Sequence, residues 1–338
     1  MPFLSQESPC DSKKPLFCSI LANTLISRVP GISGAGPTPE KTLFTPILDA
    51  ELVAHGAITS MPVRSDTPTG CPTPASITRA MMQLCGITPM FINAGLSHRP
   101  TIPCLDIYGD PGNDPRVTDA VPRANEMYEA GRWLGRALLQ SCDLLVVGEC
   151  VPGGTTTALC VLRALGYPAR VSSSYVENPV HLKDAVWQAV SRRIEKKGAE
   201  VASPLDILRC TGDPMMPVCA GIVSTFSHRL VLAGGTQMLA VAAVVKGMGF
   251  RVPMVATTVY VRDDPSANFA EIAESIGVPV VYVDPEFGDL GHAGLARYCI
   301  GEVKEGMGAG GAMFMAYIMG HTPSAIRNCI FETVRSYS

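Results

Sequence analysis

The sequence predicts an α/β fold: a doubly wound, mostly parallel sheet of Rossmann-like form with helices on both faces and a small lobe from the chain termini. Short apolar β-rich runs alternate with helical patterns from residue 15 onward, the signature of βα units. The loops leaving the strands are rich in glycine and polar groups, as expected where a ligand lies beyond the carboxyl ends of such a sheet. Of 338 residues 47% are hydrophobic and 17% charged, enough for a substantial core and incompatible with a disordered or fibrous chain.

Residues 1–14 have no apolar period and are expected to form a disordered leader, leaving 15–338 as a single domain. The apolar stretch PLFCSILANTLI is interrupted by Ser, Asn and Thr and lacks an Ala-x-Ala site, so it reads as a first strand, 16–22, rather than a signal peptide. The Pro- and Gly-rich stretches 30–46 and 62–74 read as long loops that could line the mouth of a site. Helix 74–84 leads to strand 89–93, and helix 120–140 to strand 144–148, LLVVG. Helices 155–165, 181–197 and 204–209 follow, then strand 229–232 and helix 236–246. Strand 252–257, helix 267–276, strand 278–283 and helix 308–319 complete the alternation. The run MLAVAAVVKGMGF is broken by Lys246 well short of a membrane span, so a soluble, cytoplasmic protein with no membrane partner is expected.

Formal net charge is -3, and no stretch interleaves Lys and Arg with aromatics, which argues against a nucleic-acid partner. The densest basic cluster, Arg192, Arg193, Lys196 and Lys197, reads as the solvated end of a helix. The twelve cysteines contain no Cys-x-x-Cys pair and read as buried reduced thiols. The six histidines include no HExxH, so no metal site and no cofactor is expected, and the partner should be a small molecule.

Three strand-to-loop-to-helix passages carry chemistry. In GECVPGGTTTAL a strand ends in Glu149, and Pro152, Gly153, Gly154, Thr155, Thr156 and Thr157 lead into a helix. Free N–H groups and the positive end of the helix dipole bind phosphate or carboxylate there, although Thr155 as a plain N-cap and the glycines as a plain turn explain the same residues. The passage lacks a Walker A lysine and the three-glycine dinucleotide spacing. Glu149, at the end of a buried strand beside an anion site, is costly unless it meets a cation or exchanges protons. In AGGTQM, Gly234 and Gly235 leave space while Thr236 and Gln237 can hydrogen-bond a ligand. In VKEGMGAGGAMF, Glu305 opens a Gly-rich segment against which a flat ligand can lie, and a carboxylate there can take a proton from a heteroaromatic nitrogen. A first-turn Glu that stabilises the helix dipole is the alternative. Asp263 and Asp264 are followed by Pro265 and read as loop or cap.

Seven blocks in one order, ANT with PGISGAGPTPE, PTGCPTPASITRA, GECVPGGTTTAL, NPVHLK, GDPMMP, AGGTQMLAV and VKEGMGAGGA, give the chain a further character. Through them it resembles the nicotinate-nucleotide:dimethylbenzimidazole phosphoribosyltransferases of cobalamin biosynthesis, most closely their archaeal and cyanobacterial branch. The resemblance implies transfer of the 5-phosphoribosyl group from nicotinate mononucleotide to a benzimidazole-type base, with no cofactor, in a homo-oligomer, a dimer. It places Glu305 on the family's catalytic carboxylate, Glu149 on its second carboxylate, and Lys183 on a lysine that contacts the donor's phosphate. Thr78, Met307 and Gly308 fall in the base pocket. Pro152, Gly154 and Met307 depart from the bacterial pattern, which leaves the acceptor open: a purine with the same fold and donor is the alternative. A non-catalytic nucleotide-binding protein would be free to lose a carboxylate, yet Glu149 and Glu305 are both present.

Overall fold

The computed structural model describes residues 2–6, 12–64 and 66–336. Its seven strands are β1 (Pro15–Ala22), β2 (Met90–Gly95), β3 (Leu105–Asp106), β4 (Leu144–Cys150), β5 (Arg229–Ala233), β6 (Met254–Thr258) and β7 (Val280–Val283). They form one parallel sheet in the order β3-β2-β1-β4-β5-β6-β7. Strands buried on both faces are apolar without strict alternation. Thus Cys18, Ile20 and Ala22 of β1 enter one core while Phe17 and Leu21 enter the other, and Leu145 and Val147 of β4 oppose Leu144 and Val146 in the same way.

The helices are α1 (Thr45–His55), α2 (Pro74–Cys85), α3 (Ala124–Leu138), α4 (Gly154–Ala164), α5 (Val180–Lys197), α6 (Pro204–Thr211), α7 (Met215–Thr225), α8 (Thr236–Gly247), α9 (Val259–Arg262), α10 (Phe269–Ile276), α11 (Ala293–Ala296), α12 (Ala309–Ile318) and α13 (Pro323–Arg335). Buried residues of α3, α4, α7, α8 and α10 fill the core on one face of the sheet, and those of α1, α2, α12 and α13 fill the other. The second face is where the chain's ends meet: Phe3 stacks on Tyr317 of α12. Val186 and Val190 of α5 pack on Ile26, Ile32 and Cys160 in a small third core.

Two sequence readings are corrected here. Where the expected disordered leader is described, it is packed: Phe3 and Leu4 are buried, Leu4 bridges Val283, and the Ser5 amide donates to the Tyr282 carbonyl at 2.9 Å. The reason is that β7 is an edge strand with unpaired backbone groups, and the N-terminal segment covers them. Residues 1 and 7–11 of that expectation lie outside the described residues. Strand β4 also runs two residues further than its apolar core suggests, so Glu149 lies within it, opposite Ile20 of β1.

Helices α1, α7 and α13 were not apparent in the sequence. In α7, MMPVCAGIVST is apolar all round because it is enclosed between α3 and α8, and a helix without a polar face has no period to read. Its contact with α3 depends on glycine. A Cβ on Gly221 would stand 2.1 Å from the Tyr128 carbonyl oxygen, and one on Gly131 2.2 Å from that of Val218. Gly221→Val is therefore expected to destabilise the fold by about 1–3 kcal/mol or more through overpacking. Urea unfolding will read this as a lower midpoint with an unchanged slope.

Candidate active site

The strand order reverses between β1 and β4, whose neighbours leave in opposite directions, and in sheets of this kind ligands bind beyond the carboxyl ends at that point. Glu149 stands at that end of β4 and is buried. Its carbonyl accepts a hydrogen bond from the Met307 amide at 3.0 Å, and its Oε2 accepts one from the Val151 amide at 3.2 Å. The first of these bonds draws the segment after Glu305 over the end of β4. The close approach requires glycine on both sides: a Cβ on Gly148 would lie 3.1 Å from Gly308 Cα, and Gly308 itself has φ +73°.

Glu305 is held from α12 and β6. Its Oε1 accepts from the Gly310 amide in the first turn of α12 at 3.0 Å, and its Oε2 lies 3.5 Å from the Thr257 hydroxyl. Both carboxylates flank the glycine pair after β5. A Cβ on Gly234 would stand 3.6 Å from Glu149 Oε1, and one on Gly235 would stand 3.8 Å from Glu305 Cβ. The GECVPGGTTT, AGGTQM and KEGMGAGG loops thus gather at one end of the sheet, while TTVYVRDD folds into α9 beside them.

A third carboxylate joins them that the sequence did not single out. Asp213, fully buried just before α7, accepts from the Thr157 hydroxyl at 2.7 Å. Burial raises all three groups. Glu149 is pushed up to about 8 by burial and by the Asp213 and Glu305 carboxylates. Glu305 rises to about 7 by burial, opposed by the Gly310 and Gly306 amides, and Asp213 rises to about 6 by burial, opposed by Thr157. At neutral pH Glu149 therefore keeps its proton and Glu305 is poised to exchange one.

The Glu149 shift has a consequence for stability. The folded chain holds a proton that the unfolded chain releases near the ordinary value of 4.5, so this contribution is complete below that value and is lost as pH rises through about 8. Glu149→Gln is expected to raise the melting temperature by a few degrees above pH 8 and to change it little near pH 4.5. Thermal melts across that range check it.

The threonine loop begins α4 with Gly153, not Thr155, in the N-cap position, so the reading of Thr155 as a simple cap does not hold. Gln237 lies directly against Gly154, where a Cβ would be 2.0 Å from its Nε2. Four buried polar atoms here have no hydrogen-bond partner: Thr24 Oγ1, Thr156 Oγ1, Asp213 Oδ1 and Gln237 Nε2.

Next to Thr236 the site turns cationic. Its hydroxyl is 3.3 Å from that of Ser172, and the buried Lys183 donates from Nζ to the Ser172 carbonyl at 2.6 Å. Lys304, one residue before Glu305, donates to the Ser173 and Gly301 carbonyls at 2.7 and 2.8 Å and faces Asp264 Oδ2 at 3.3 Å. Asp264 does cap its loop, accepting from the Ser266 amide at 2.9 Å, but it is also the counter-charge of a buried lysine. Burial, with Lys304 alongside, pushes Lys183 down to about 7, while Asp264 partly offsets the burial of Lys304.

The residues expected to line the base pocket lie against the turn that follows Glu305. The Thr78 hydroxyl donates to the Met307 carbonyl at 3.0 Å, the Met307 side chain is buried in the core of the α2–α12 face, and Gly308 backs onto Gly148. These three residues shape the Glu305 turn. The unpredicted polar group on this side is Asp49 of α1, which accepts from the Thr73 hydroxyl at 3.2 Å and lies 3.6 Å from the Cys150 thiol. Burial raises it to about 7. Among the described residues no cluster of three or more His, Cys, Asp or Glu is placed to hold a metal ion, and no helix is long and apolar enough to cross a membrane.

No protein-family model matches the chain. Individual relatives do. The UPF0284 protein of Methanosarcina acetivorans is 43% identical over 339 residues, covering 97% of this chain and 96% of the relative. The chain belongs to the UPF0284 family. Its similarity to the UPF0284 protein of Pyrococcus furiosus is 42% over 330 residues, covering 95% of this chain and 98% of that one. Two solved structures from Thermus thermophilus share the fold of this UPF0284 protein. The first, a nicotinate-nucleotide-dimethylbenzimidazole phosphoribosyltransferase, superposes with a TM-score of 0.64 at 18% identity over 95% of this chain and 84% of its own. The second, named CobT, gives 0.62 at 18% identity over 95% and 85%.

Proposed function

We propose that this protein transfers the 5-phosphoribosyl group of nicotinate mononucleotide to an aromatic nitrogen base, the reaction class named for the Thermus neighbour. The observation that carries the reading is the convergence of Glu149 and Glu305 on Gly234 and Gly235, beside the Lys183 ammonium. Lys183, with Thr236 at the start of α8 and Ser172 beside it, takes the donor's phosphate. An acceptor ring nitrogen attacks C1′ from the face opposite nicotinate. The bond from C1′ to the pyridinium nitrogen breaks, its electron pair neutralises that nitrogen, and the configuration inverts to an α-riboside. Glu305 removes the proton from the acceptor's other ring nitrogen, and protonated Glu149 orients the ribose. The leaving group already carries positive charge, so these residues need not activate it further.

Asp49 favours a second reading of the acceptor. A carboxyl whose protein partners are a hydroxyl and a thiol, the latter on the residue after Glu149, suits a base with a polar edge, such as a purine, better than a dimethylated one. Incubation with nicotinate mononucleotide and a panel of benzimidazoles and purines tests both readings. Mass and anomeric configuration identify the product, and absence of any α-riboside phosphate with the whole panel overturns the proposal.

A further inference from the structure

We propose that Asp213, with Thr156, Thr24 and Gln237, forms a subsite for the vicinal hydroxyls of a furanose. The inference rests on the phosphoribosyltransferase reading and identifies the furanose as the donor's ribose. Four side chains at 6% exposure or less each leave a polar atom without a partner. An unsatisfied buried donor or acceptor is costly, and native chains keep few without a reason. A ligand that replaces the missing partners is such a reason.

The chemistry of the four atoms selects the ligand. Thr157 fixes one oxygen of Asp213 and leaves Oδ1 as an acceptor. Gln237 Nε2 can only donate, while the two threonine hydroxyls can do either. A hydroxyl both donates and accepts, so a vicinal diol can answer all three kinds of group. A phosphate cannot, because it would bring its negative charge onto Asp213. The anion belongs instead with Lys183, across Thr236 and Ser172. The two ends of the site thus divide a sugar phosphate between them, the hydroxyls toward Asp213 and the phosphate toward Lys183.

The elements bring these groups to the same end of the sheet. Thr24 leaves β1, Thr156 lies in the first turn of α4, Asp213 precedes α7 and Gln237 starts α8. Ser27 links the first two: its hydroxyl donates to the Thr24 carbonyl at 2.7 Å, and its Cα lies 3.1 Å from where a Cβ on Gly153 would stand.

Calorimetric titration of the full chain with nicotinate mononucleotide and its 2′-deoxy and 3′-deoxy analogues tests the assignment. Loss of a hydroxyl that donates to a carboxylate is expected to weaken binding to the wild type by about 10- to 100-fold for at least one analogue. In Asp213→Ala the penalty for that analogue should fall to about 1, since the two deletions remove the same interaction. Should Asp213→Ala not fold by circular dichroism, Asp213→Asn carries the test, with a penalty well below that of the wild type. A deoxy penalty undiminished in a folded Asp213 variant, or no penalty in the wild type, overturns the subsite alone. A wild type that binds no nicotinate mononucleotide overturns the proposed donor and the subsite together.

Discussion

Glu305→Gln is expected to lower turnover by about 100- to 10,000-fold, the usual range for loss of a positioned general base, while the donor's dissociation constant stays nearly unchanged. The amide keeps the size of the side chain, and its oxygen can still accept from the Gly310 amide. What it loses is the ability to take a proton. The pH profile supplies an independent readout. Glu305 must be ionised, so wild-type kcat/KM with an acceptor that loses a proton should fall about tenfold per pH unit below an apparent value near 7. Because Glu305 and Glu149 interact, that value belongs to the pair. The limb should disappear in the variant. Near-normal turnover in Glu305→Gln together with collapse in Glu149→Gln would reverse the two roles.

Lys183→Met should raise the donor's dissociation constant by about 10- to 100-fold, in the range of a charge-assisted hydrogen bond to phosphate. Methionine fills much of the same volume and removes the ammonium. The wild-type protein should also bind the donor less tightly as pH rises above about 7, where the empty site lets Lys183 lose its proton, and the variant should lack that dependence. The stability effect has the opposite pH sense to that of Glu149. A buried lysine with a lowered value destabilises the empty fold as pH falls through about 7, so Lys183→Met should melt higher than the wild type on the acid side. An unchanged donor affinity in a folded variant would give Lys183 to the architecture of residues 172–175 instead.

Glu149, Glu305 and the glycine-threonine loops were legible in the sequence because each is a local anomaly: a carboxylate or a pair of glycines at the end of an apolar run. Asp213 and Asp49 carry no such mark. Asp213 sits in an ordinary Gly-Asp-Pro turn and Asp49 in a helix that follows a proline-rich stretch. Lys304, although it stands beside Glu305 in sequence, gains its importance from a carboxylate 40 positions earlier and from the carbonyls of Ser173 and Gly301. For Thr78 and Met307, expected in the base pocket, the sequence carries no sign of their contact: α2 packs so that the threonine hydroxyl meets the Met307 carbonyl.

The alternation of strands and helices, the loops that carry polar groups, and two of the carboxylates can be read from short-range patterns of burial and turn chemistry. The tertiary structure places β4 beside β1, and hence brings residues near positions 24, 150, 213, 236 and 305 to one end of the sheet. It also decided which polar atoms are left without partners and which carboxylates hold their protons. The reason is physical: desolvation and charge proximity act through space, and the order of strands in a parallel sheet sets that space without being written in any one stretch of chain.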